Sequence, residues 1–108
     1  MSADASALRE LLSRRLEIVS DLSQKTGALQ RLLQARAGAE MDVQRCEMAL
    51  ARETDGVARD LLHEECQEAL KRVEESDRGL ERCEAEIEAI EAILAEADRA
   101  IEAATRAP

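Results

Sequence analysis

The sequence predicts an all-α fold, a long antiparallel two-helix coiled-coil hairpin that turns at about residues 54–58. Three observations predict it. The 108 residues contain no Phe, Tyr or Trp and one proline, Pro108, while Ala, Leu, Glu and Arg dominate. That is the composition of long helices rather than of a domain built around an aromatic core. Apolar residues recur every seven positions in two tracts, as a coiled-coil seam requires. Between the tracts the heptad frame slips by two residues at an Asp-Gly pair, where a turn belongs.

The first arm spans about residues 4–53. Its a series is Leu8, Arg15, Leu22, Leu29, Arg36, Val43 and Leu50, and its d series is Leu11, Ile18, Lys25, Leu32, Ala39, Cys46 and Glu53. The second arm spans about 59–105. Cys66, Val73, Leu80, Ile87, Leu94 and Ile101 hold a, with Leu62, Ala69, Ser76, Cys83, Ile90, Ala97 and Ala104 at d. The gap between them, Thr54-Asp55-Gly56-Val57-Ala58, offers an Asp-Gly pair that tolerates left-handed backbone and a Thr or Asp to cap the next helix. Gly27, Gly38 and Gly79 fall off the seam and leave the frame unbroken, so they read as soft spots inside continuous helices.

A turn centred on Gly56 pairs residue i with residue 112 − i, and every a then meets a d. Ten of the fourteen layers are apolar on both sides, among them Leu50/Leu62, Cys46/Cys66 and Leu22/Ile90. Registers shifted by seven also match a to d, but their turns would fall inside a helix. The layer next to the turn, Glu53/Arg59, is an opposite-charge pair. Arg15, Lys25 and Arg36 sit in the seam, where an isolated charge is costly. Their stems can run along it and deliver the charge to the edge, near Asp77, Glu84 and Asp98.

One seam does not use all the apolar residues of the first arm. Leu12, Val19 and Leu33 stand at e beside Leu11, Ile18 and Leu32, and the second arm adds Leu70 and Ile93. These eight residues are the candidate protein-interaction surface. A line of small residues, Ala28, Ala35, Ala49, Gly79 and Ala100, borders the other edge. A two-helix hairpin with this much uncovered leucine implies a partner. Pairing of two copies into a four-helix bundle, a homodimer, is the simplest arrangement, and a different helical protein is the alternative.

The net charge of −9 resides entirely in residues 54–108, because the first 53 residues balance. An acidic surface repels phosphate backbones, so neither nucleic acid nor anionic membrane is an expected partner. No apolar run approaches a membrane span or a signal peptide. Three cysteines without CxxC spacing fit reduced thiols, and the expected compartment is the cytoplasm. The Arg-rich, Ala-rich usage suggests a bacterial genome.

Chemistry is sparse. His63, Cys46, Cys66 and Glu47 gather near the turn in this register, but free cysteines are good small packing residues, so no metal site is assigned. A Cys46–Cys66 disulfide is geometrically possible but disfavoured in a reducing compartment. There is no phosphate loop, no nucleophile with a base and no concave core, which predicts no enzyme activity, no cofactor and no small-molecule substrate. The architecture is similar to that of small helical-hairpin proteins of bacterial type III export systems, which include stalks and chaperones. The expected role is a structural or interaction protein, an adaptor, stalk or assembly subunit. The alternative is a small export-type chaperone that binds an amphipathic client helix along Leu11, Leu12, Ile18, Val19, Leu32 and Leu33.

Overall fold

The computed structural model describes residues 2–106. It consists of two α-helices, α1 (Ser2–Arg52) and α2 (Gly56–Arg106), which form an antiparallel hairpin. Both are rich in residues that lose little side-chain freedom in a helix, and neither contains a proline. Neither is long and apolar enough to cross a membrane. The helices pack in two compact units. One joins the residues up to Ala28 with those from Cys83 onward, and the other is Leu29–Arg82.

In each unit the seam is the one predicted. Within Leu29–Arg82, Ala39, Cys66, Ala69 and Leu80 are buried, while Leu32, Val43, Cys46, Leu50, Leu62 and Val73 are half-buried. In the other unit Ile18 and Cys83 are buried and Leu11, Leu22, Ile87, Ile90 and Leu94 half-buried. Most seam leucines and isoleucines therefore keep part of their surface in water. A Leu or Ile contributes about 1.5–3 kcal/mol when fully buried, so each of these contributes somewhat less.

The turn is shorter than the sequence suggests. Only Glu53, Thr54 and Asp55 are non-helical, and Gly56 is the first residue of α2. No described residue has a positive φ, so the Asp-Gly pair does not turn the chain by left-handed backbone. Asp55 does it by capping. Its Oδ2 accepts the Ala58 N–H at 3.0 Å, a donor that a helix N-terminus otherwise leaves orphaned, and its carbonyl accepts the Arg59 N–H at 2.9 Å as the first bond of α2. The predicted Glu53/Arg59 ion pair does not form. Arg59 instead sends Nη1 back to the carbonyls of Leu50 (2.7 Å) and Glu53 (2.8 Å), closing the end of α1. Glu53 Oε1 accepts the N–H groups of Thr54 (3.1 Å) and Asp55 (3.0 Å). Each charge is more useful on unpaired backbone than on the other.

The three basic seam residues reach the edge as expected. Arg15 Nε donates to Asp98 Oδ1 at 2.6 Å, and Arg36 pairs with Asp77 and with Glu40 on its own helix. Lys25, however, pairs with Glu86 rather than Glu84. A d residue leans toward the g side of the seam, where Glu86 stands, whereas an a residue leans toward e, the position of Asp77 and Asp98. These pairs are largely exposed and contribute little to stability, but they discriminate between registers. Sliding α2 by one heptad would set Arg36 beside Leu70 and Lys25 beside Gly79 in one direction. In the other it would set Lys25 beside Ile93 and Arg15 beside Thr105.

Gly38 and Gly79 both lie inside helices, yet their surroundings differ. A Cβ on Gly38 would meet nothing within 4 Å, while one on Gly79 would lie 3.1 Å from Leu32 Cδ2 across the seam. Gly38→Ala is therefore expected to stabilise the hairpin by up to about 1 kcal/mol, or roughly 4–8 °C in midpoint. Gly79→Ala should give a clearly smaller rise, because Leu32 must move. Equal rises in thermal unfolding would show that the helices do not approach closely at Leu32.

Candidate protein-interaction surface

Burial divides the eight residues singled out from sequence. Ile18 is 5% exposed, and Leu11 and Leu32 are half-buried in the seam. Leu12, Val19, Leu33, Leu70 and Ile93 remain 37–46% exposed, enough to offer contact area to another molecule.

They are not one patch. In the unit containing both chain ends, Leu12 and Val19 lie on the e side of α1. Ile93 lies on the g side, over a shallow depression of about 230 Å³ lined by Leu11, Arg14, Ile18, Glu96 and Ala97. In Leu29–Arg82, Leu70 lines an open depression with Glu40, Val43, Gln44 and Val73, which Leu33 does not border.

The structure adds residues that the e-position reading misses. Leu16 is 70% exposed and fills the gap between Leu12 and Val19. Its signal was its spacing, four residues after Leu12 and three before Val19, which places all three on one helix face. Met41, Met48, Val57 and Leu61 are 58–71% exposed at outward positions in Leu29–Arg82.

Charge surrounds these apolar residues unevenly. On α2, Glu84, Glu88 and Glu91 are exposed, and no described residue forms an ion pair with them. Further along the same row Asp98 is held by Arg15, and Glu102 by Arg106 at 2.6 Å. A depression of about 580 Å³ in Leu29–Arg82 is an open groove of mixed charge that includes Asp42, Arg45, Glu64, Glu65 and Arg72.

The cysteines are packing residues. Cys66 and Cys83 are buried, Cys46 is half-buried, and all three are free thiols. Cys66 shares a seam layer with Cys46. Loss of solvent contact, aided by the neighbouring Cys46 thiol and by the charges of Glu47 and Glu65, pushes the Cys66 thiol above its ordinary value of 9.0. Cys83 Sγ donates to the Lys25 carbonyl at 3.4 Å. His63 is exposed. Among the described residues no three His, Cys, Asp or Glu side chains are grouped so as to hold a metal ion.

Comparison of the chain with protein-family models, with curated proteins and with solved structures gives no match.

The raised thiol has a pH consequence. A folded-state value above the unfolded one means that the neutral Cys66 supports the fold fully below about pH 9, and that this support is lost as the pH rises through the folded value. Lys25 acts in the same sense in a higher window. Its hydrogen bond and attraction to Glu86 raise it above 10.5, so its contribution fades only beyond that. The thermal midpoint is expected to begin falling above about pH 9, and Cys66→Ala should remove the first part of the fall. An unchanged profile in that variant would mean that Cys66 ionises as freely in the hairpin as in the unfolded chain.

Proposed function

We propose that this chain is a non-enzymatic interaction protein, a helical hairpin that works as an adaptor, stalk or assembly subunit by packing exposed side chains against another helical surface. The observation that carries this reading is that, among the described residues, ten large hydrophobic side chains are exposed at 37–71% while only two as large, Ile18 and Leu80, are buried in the seam. Such an allocation is unfavourable for a hairpin that remains alone in water. A two-helix seam also provides no enclosed space in which a substrate could lose its water, and its depressions are shallow and open. Three free thiols suit a reducing compartment, and the cytoplasm is the location we favour. A second copy, completing a four-helix bundle, and a separate helical protein are the two ways to cover the exposed residues.

Replacing Leu12, Val19 and Leu33 with Glu tests the reading, since these residues lie outside the seam. Circular dichroism should show unchanged helix content. In size-exclusion chromatography of native-host extract, the wild type should elute in a larger assembly and the triple variant as a lone hairpin. A wild type that elutes as a lone hairpin, or a variant that loses its helicity, would overturn the proposal.

A further inference from the structure

In the unit that contains both chain ends, the charges of α1 keep to one side of the helix. Arg14, Arg15, Glu17, Asp21 and Lys25 occupy heptad positions g, a, c, g and d. From Leu12 to Gly27 every b, e and f position holds an uncharged residue, in a chain of which 36% is charged. Along this neutral sector run Leu12, Leu16, Val19, Ser23 and Thr26, spaced alternately by four and three residues and all exposed, Leu16 by 70%. That alternation is the spacing of a second coiled-coil stripe, and it lies about a quarter turn around α1 from the seam with α2. Thr26 already places its hydroxyl on the Leu22 carbonyl of its own helix, 2.9 Å away, so covering it orphans no donor.

We propose that this stripe is the contact between two copies of the chain, which lie parallel along α1 so that Leu12, Leu16 and Val19 each meet their own counterpart. The proposal rests on the interaction-protein reading and names the partner as a second copy. Charge selects that occupant. Residues 4–28 of α1 carry four basic and four acidic side chains, whereas residues 83–106 of α2 carry two basic and seven acidic. Copies that met through α2 would set carboxylate against carboxylate, while copies that meet through the neutral sector of α1 oppose no like charges. The same charges set the direction. An antiparallel α1 pair, related by a two-fold axis across the helices, would place both α2 helices on one side as neighbours at the usual helix spacing of about 8–10 Å. A two-fold axis along α1 places them on opposite sides, roughly 20 Å apart, beyond the Debye length of about 10 Å. Such a contact closes on itself and stops at the dimer.

The test uses the purified full chain. Sedimentation equilibrium should give a dimer that tightens as salt is raised, because salt screens the repulsion between acidic helices and leaves the apolar contact. Leu16→Gln with Val19→Gln should weaken it by more than about tenfold, with helicity unchanged by circular dichroism. Ala85→Gln, Ala89→Gln and Ala92→Gln together, on the exposed face of α2, should alter it by less than about threefold. Under oxidised glutathione, Ser23→Cys and Thr26→Cys, made singly, should each give a disulfide-linked dimer that the wild type does not form, because parallel packing sets each position against itself. A monomeric wild type overturns the proposal, and if native-host extract then still holds the chain in a larger assembly, the interaction role stands with a different protein as occupant. Equal weakening by the α2 set, or growth beyond a dimer with concentration, would mean that the stripe packs on α2 of the next copy and would overturn the two-fold contact. A dimer in which neither cysteine variant cross-links would overturn the parallel arrangement.

Discussion

Two helices share one seam, and the rest of the molecule follows from how little one seam can cover. A helix in a pair turns a single stripe toward its neighbour and leaves the rest of its circumference to water. The seam consequently holds small residues at its closest layers, Ala39, Ala69, Cys66 and Cys83, and only partly covers its leucines. Long basic side chains can share it because its edge is always within reach: Arg15, Lys25 and Arg36 lay their stems along the seam and meet carboxylates outside it.

Stability and specificity are divided between different residues as a result. The apolar layers supply the cohesion, yet a heptad slip would preserve a-to-d matching and so cost them little. The basic residues contribute little cohesion because their pairs are open to water. They impose a penalty on every slipped alignment, since a slip sets at least two of the three beside uncharged neighbours. The turn applies the same economy. Asp55, Glu53 and Arg59 each bond backbone groups that the helix ends would otherwise leave unsatisfied, and no special glycine geometry is needed.

Charge is divided unevenly between the two helices. α1 carries the exposed apolar ridge of Leu12, Leu16 and Val19 and is nearly neutral, whereas α2 carries the acidic excess. Antiparallel pairing brings the e face of one beside the e face of the other.

By itself the sequence determined the helical class, the seam and its register. These depend on a repeat of 3.5 residues, which is local and visible along the chain, and on the matching of two such repeats across one break. The a and d residues from Leu8 to Leu50 and from Leu62 to Ile101 are all buried or half-buried. Tertiary structure decided what depends on the competition between neighbours that are distant in sequence. The turn shrank to three residues because Asp55 caps α2 at Ala58 while Arg59 closes the end of α1 at the Leu50 and Glu53 carbonyls. Lys25 took Glu86 over Glu84 because its place in the seam faces the g side. The meeting of Arg15 with Asp98 arises only when two helices lie antiparallel, since more than eighty residues of chain separate them.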